Sequence, residues 1–242
     1  MKAFISILII TLFFIPGCVS MPKPIDDAYL VDKTPEQKAS LEKLEESIIA
    51  KKKEKDKAEK ELAIAEQKVV VHQKRIASLN KDRELLLQEE KLYKLDDNQE
   101  KLAEIGNKLK ENAAQMNRES LQLQYSTAFR DNAAAILDVK KAEFSVLIAQ
   151  LNYDKAKIAD AYLARKKKEQ PVEKDEKEKG FLDEMKDKLK KSDEESVNVK
   201  EYAAYLNKQQ DILKEKEQKG RETAEKLAAA EKKLREAEGG VK

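Results

Sequence analysis

The stretch LDDNQEKL, residues 95–102, decides the shape of this chain. Asp96, Asp97 and Asn98 carry short polar side chains that bond nearby backbone. They therefore compete with helix, and each is able to cap a helix that follows. A reversal at 95–98 folds the chain into an antiparallel hairpin of helices 35–94 and 98–168, each roughly 90–105 Å long at 1.5 Å per residue. Without it the same residues form one helix of about 200 Å, with the Asp-Asp-Asn cluster on a solvent face. We expect the hairpin.

Upstream, Thr34-Pro35-Glu36-Gln37 reads as a helix start. Thr34 caps, Pro35 suits the first helical position and Gln37 completes a capping box. From residue 36 to residue 170 there is no proline, and Gly106 is the only glycine. Within Leu41–Tyr93, alternating steps of three and four place Leu41, Leu44, Ile48, Ala58, Leu62, Ala65, Val69, Ile76, Leu79, Leu86 and Tyr93 on one seam. That is a sustained heptad. Lys51, Lys55, His72, Arg83 and Glu90 occupy the same seam as polar exceptions that set register.

Downstream, Tyr125–Ala164 is rich in alanine and carries Phe129, Ile136, Leu137, Phe144, Leu147, Ile148, Leu151, Ile158 and Tyr162. This apolar stripe is wider than a two-stranded seam requires, so the segment is expected to pack against more than one helix. Phe144, Leu147, Leu151, Ile158 and Tyr162 are the candidate packing or partner-contact residues. Residues 169–191 form a charged linker holding Pro171 and a short amphipathic piece, Phe181–Lys190. Ser192-Asp193-Glu194-Glu195 is a second capping box. It opens a last helix over 192–238 with Val199, Tyr202, Leu206, Leu213, Leu227, Ala230, Leu234 and Ala237 at heptad spacing. Lys216, Gly220 and Thr223 make a soft point on that seam. Residues 239–242 read as a flexible tail.

Composition agrees with an all-α chain. Charged residues make up 40%, yet the net charge is only +2; aromatics are 5% and tryptophan is absent, with six glycines and five prolines. Such usage marks long helices. The interleaved signs argue against a nucleic-acid partner, which calls for a clustered basic excess.

The amino terminus places the chain in the cell. Lys2 precedes an apolar run, Ala3–Ile15, that fits a secretory signal and is too short to span a bilayer. Ile15-Pro16-Gly17-Cys18 resembles the lipobox of bacterial lipoproteins, although Pro16 departs from the small residue usual there. The resemblance implies removal of residues 1–17 by cleavage between Gly17 and Cys18, with lipid on Cys18. Several acyl chains anchor stably where one does not. Val19 is not the aspartate that resembles an inner-membrane retention signal, so the expected site is the outer membrane, facing the periplasm. Residues 18–33 then read as a lipidated flexible tether.

Two further resemblances are local. Ile136–Ala164, with Asp138-Val139, Ala142-Glu143 and Ala149-Gln150-Leu151, resembles a periplasmic helix of outer-membrane efflux channel proteins. That family's barrel strands and second helical repeat are missing from this chain. The ending Gly239-Gly240-Val241-Lys242 resembles the murein lipoprotein family, in which a terminal lysine joins peptidoglycan.

Chemistry finds little footing. His72 is the sole histidine and falls on a helix seam, where no partner acid is identifiable from sequence. One histidine cannot furnish a zinc site, and the carboxylates alternate with lysines as i,i+4 pairs. The expectation is a protein that is not an enzyme and needs no cofactor, metal or small-molecule substrate. Its expected partners are the membrane, through lipid on Cys18, and either itself or a helical envelope protein. The role expected is a spacer or docking scaffold, with an adaptor for an envelope enzyme or export machine, or a peptidoglycan tether, as alternatives.

Overall fold

Thr34 opens the first long helix. Its Oγ1 accepts the Gln37 N–H at 3.2 Å, and Gln37 Oε1 accepts the Thr34 N–H at 2.9 Å. Such a cap contributes about 1 kcal/mol. The computed structural model describes residues 21–169 and 196–239. They form α1 (Pro35–Leu95), α2 (Gln99–Glu169) and α3 (Val199–Gly239), preceded by a 3₁₀ turn, Asp27–Leu30. The fold is all-α, a long helical hairpin plus a C-terminal helix, with no strand among the described residues. Residues 1–20, Gly17 and Cys18 among them, residues 170–195, which hold the expected Phe181–Lys190 piece and the Ser192–Glu195 capping box, and the last three residues lie outside the described part. Residues 196–198 are not helical, so the last helix, expected from 192, starts at Val199.

The reversal falls between Leu95 and Gln99. Asp96 donates its N–H to the Leu92 carbonyl at 3.2 Å, and Asn98 donates to the Tyr93 carbonyl at 3.1 Å. Asp97 takes the left-handed conformation, φ 51°. This closes α1 as a Schellman turn, with aspartate in the place glycine usually fills. Asn98 then caps α2: its Oδ1 accepts the Lys101 N–H at 3.1 Å.

Beyond the turn, α2 returns antiparallel along α1. Lys51 meets Glu143, His72 meets Glu119, and Asn112 Nδ2 donates to the Leu79 carbonyl at 3.0 Å. Every α1 seam position read from the sequence is at least half-shielded except Arg83. Small residues make the approach close: Ala58 and Ala65 on α1, Ser126 and Ala133 on α2, all buried. α3 lies on another side of α2. Lys216 Nζ reaches Asp138 Oδ2 at 3.3 Å, and Thr223 Oγ1 donates to Asn132 Oδ1 at the same distance. α3 is therefore antiparallel to α2 and runs in the same direction as α1. No α1 Cα comes within 8 Å of an α3 Cα.

The central position of α2 explains its wide stripe. Ile105, Asn112, Ser126 and Ala133 share the α1-facing side with Glu119. Ala135, Ala142, Ala149 and Ala156, in seven-residue steps, share the side of Asn132 and Val139, which meets α3. Two stripes on one helix make it apolar around most of its girth. Continuing the α2–α3 register, α3 ends level with about residue 115, which leaves roughly 25 Å of the hairpin tip as two helices.

Residues 21–33 differ from the free tether expected. Pro22 and Leu30 are buried. Leu30 joins Leu41 and Ile158 in a cluster that Ile25 and Leu151 extend. The Tyr29 ring lies 6.4 Å from that of Tyr162, tilted by 55°. Tyr202 Oη donates to the Lys23 carbonyl at 2.6 Å and ties this segment to α3. Burying a leucine or isoleucine contributes about 1.5–3 kcal/mol, enough for a few apolar residues without helical period to hold an irregular segment in place.

Candidate functional site

Two polar seam positions of α1, Lys51 and His72, meet α2 carboxylates that the hairpin register brings opposite them, while Lys55 and Glu90 pair within α1 and Arg83 is exposed. Lys51 Nζ lies 2.9 Å from Glu54 and 3.0 Å from Glu143; Lys140 Nζ lies 2.9 Å from Glu54 and 3.1 Å from Glu143. The four side chains form a closed ring of alternating sign across the two helices. Hydrogen bonds from Lys51, then Lys140, pull the Glu54 carboxyl down to about 2. The Lys51 ammonium is pushed up by its bonds to Glu54 and then Glu143. Lys140 is also raised, chiefly by its bond to Glu54.

Farther along, His72 Nδ1 lies 2.8 Å from Glu119 Oε2, with both side chains more than four-fifths shielded, and Arg75 Nη1 lies 3.4 Å from Glu119 Oε1. A histidine hydrogen-bonded to a carboxylate is one component of acid–base chemistry. Here the pair sits on a helix seam. The adjoining space is an open cleft of about 420 Å³ lined by Arg75, Leu79, Gln115, Arg118 and Glu119. The arrangement fixes register. Asn112 acts similarly: it is buried, donates to Leu79 and leaves its Oδ1 without a partner. No group of three His, Cys, Asp or Glu among the described residues is placed to hold a metal ion.

The candidate contact residues divide. Leu151 and Ile158 join the cluster around Leu30 and Leu41, and Tyr162 faces Tyr29. Phe144 and Leu147 are half-buried farther along α2. All five lie within the packed body of the chain. Cys18 and Gly17 lie outside the described residues. In the segment resembling an efflux-channel helix, Asp138 pairs with Lys216, Glu143 with Lys51 and Lys140, and Gln150 Nε2 donates to Asp154 at 2.9 Å.

The surface that sequence reasoning missed is on the outside of α1. Ile49, Ile64, Val70, Val71, Leu85, Leu92 and Leu95 are all exposed, Leu95 by 84%. Their signal was present: Ile64, Val71, Leu85 and Leu92 fall on one heptad position, with Ser78 at the step between Val71 and Leu85, to one side of the main seam. No helix among the described residues is long and apolar enough to cross a membrane. No protein-family model, curated protein or solved structure matches the chain.

Proposed function

We propose that this protein is a lipid-anchored coiled-coil scaffold of the bacterial cell envelope, held to the outer membrane through Cys18 and facing the periplasm. One observation supports the reading most. The residues that follow Cys18 most closely in the described part are fixed at the open end of the hairpin, through buried Pro22 and Leu30 and the bond from Tyr202 to Lys23. Lipid on Cys18 then holds the rod by that end. The Asp96–Asn98 turn stands about 90 Å away along α1, with exposed Leu92 and Leu95 beside it. The work of such a molecule is to span distance and present a helical surface, either to its own copies or to another helical envelope protein.

Fractionation of the native host tests this. Wild-type protein is expected in the outer-membrane fraction, and the Cys18→Ala variant outside it. Wild-type protein recovered only in soluble fractions overturns the anchor. Cross-linking in intact cells separates the two uses of the surface: self-cross-links alone mark a spacer, and a defined second protein marks an adaptor.

A further inference from the structure

We infer that the outward face of α1 is a self-association surface, on which a second copy packs antiparallel about a two-fold axis through Ser78. The inference deepens the scaffold reading and names the partner of that surface. It starts from an unusual symmetry in sequence. On an outer flank of α1, beside rather than on the α2 seam, Ile64, Val71, Ser78, Leu85 and Leu92 follow one another at seven-residue steps, and Ser78 stands at the rim of the open cleft that Gln115, Arg118 and Glu119 also line. The four apolar members are 46–61% exposed. Between them, at the adjoining heptad position, stand Lys68, Arg75, Asp82 and Glu89. The apolar residues are symmetric about Ser78, and the charges change sign across it.

A two-fold at Ser78 turns that pattern into an interface. Ile64 meets Leu92 of the second copy, Val71 meets Leu85, and Ser78 meets itself. Along the edge, Lys68 meets Glu89 and Arg75 meets Asp82, each pair occurring twice by symmetry. A two-fold interface uses one patch on both copies, so it must be complementary to itself. Residues 67–81 hold Lys68, Lys74, Arg75 and Lys81 and no acid, while 82–90 hold four acids and Arg83. A parallel pairing sets each basic half beside its own copy; the antiparallel one sets basic against acidic. Complementary charge of this kind fixes orientation more than affinity.

Neighbouring groups leave room for this. Arg75 already reaches Glu119 at 3.4 Å but is 58% exposed and has five donors to share. Lys68 Nζ lies 5.1 Å from the centre of the Phe129 ring, on the flank nearest α2. The opposite edge brings Lys74 near Lys81 of the second copy, and long lysine stems carry those heads outward into water. α3 stays clear, with no Cα within 8 Å of α1. The paired segment, 64–92, is about 42 Å long.

A charge-swap experiment on the full chain, purified in non-ionic detergent, tests the inference by light scattering and sedimentation at micromolar concentration. The variant Lys68→Glu/Arg75→Glu and the variant Asp82→Lys/Glu89→Lys each face like charges in a homodimer. Each alone is expected to dimerise at least about tenfold more weakly than wild type. Mixed in equal amounts they regain opposite charges at every pair, and a heterodimer of near wild-type affinity is expected. Circular dichroism checks that both stay helical. Should the Arg75→Glu change, which sets a second carboxylate beside Glu119, unfold the first variant, Val71→Ser/Leu85→Ser, on exposed positions, replaces it and is expected to give monomer. A monomeric wild type, variants that dimerise like wild type, or a mixture that stays monomeric overturns the inference. Acylation is read separately on the same samples by mass, so loss of the dimer and loss of the anchor are distinguishable.

Discussion

Replacing Gly106 by alanine adds one methyl group to the middle of a helix in the two-helix tip. A Cβ built there meets no heavy atom within 4 Å, and the residue does not take the positive φ that glycine alone tolerates well. Nothing is lost on the folded side. On the unfolded side, glycine explores more backbone conformations than alanine and gives up more on entering a helix. The difference in a helix interior is about 0.8–1.0 kcal/mol. For a chain of this size about 1 kcal/mol raises the midpoint of thermal unfolding by about 2–4 °C. Because α3 does not extend over the tip, the gain also appears locally. Amide exchange near residue 106 slows about fivefold, the equivalent of 1 kcal/mol. Circular dichroism melting and hydrogen-exchange mass spectrometry read the two effects. Gly220→Ala is the comparison: its Cβ meets Val139 Cγ2 at 3.7 Å, ordinary contact, so it too should stabilise. The sites are remote from each other and their effects should add. A lower melting point for Gly106→Ala refutes the reasoning, because it requires a neighbour or a bend at a place where the structure has neither.

Other perturbations probe the seams and the clamp. Asn112→Leu replaces a buried amide whose Oδ1 lacks a partner, and it should raise stability by about 1–2 kcal/mol while weakening the choice of register, read as a higher melting point with broader cross-linking distances between α1 and α2. Glu54, held at about 2 by Lys51 and Lys140, contributes stability that is present above its unfolded value near 4.5 and is lost as pH falls from there toward 2. The acid limb of helical stability should therefore flatten in Glu54→Gln, and an unchanged limb would remove the ring from the account. Tyr202→Phe deletes the bond to the Lys23 carbonyl, a loss of about 0.5–1.5 kcal/mol, and limited proteolysis should then cut residues 21–33 faster while the hairpin stays intact.

Much of the fold was legible because heptads report a local fact. Which side of a helix is shielded depends on residues three and four apart, so the seams of α1 and α3 could be read residue by residue. His72 and Lys51 were placed on the seam correctly, but their partners were not visible. Glu119 and Glu143 come opposite them only once the turn at Asp96–Asn98 sets which residue of α2 meets which of α1. The width of the stripe at Tyr125–Ala164 carried the message that α2 has two neighbours, though not which. Residues 21–33 escaped for the opposite reason. Ile25 and Leu30 have no period, and their burial depends on Leu41 of α1 and Leu151 and Ile158 of α2, which come together only at the open end of the hairpin. The outer stripe of α1 was written at the same seven-residue spacing as the inner one, and was overlooked because a single seam had already explained the helix.

The central claim concerns Cys18, and radiolabelled palmitate incorporation in the native host tests it most directly. The account predicts label on the wild-type protein in the outer-membrane fraction and none on Cys18→Ala. A wild-type protein that takes up no label contradicts the anchored scaffold, and leaves a helical rod whose attachment to the envelope must be sought elsewhere.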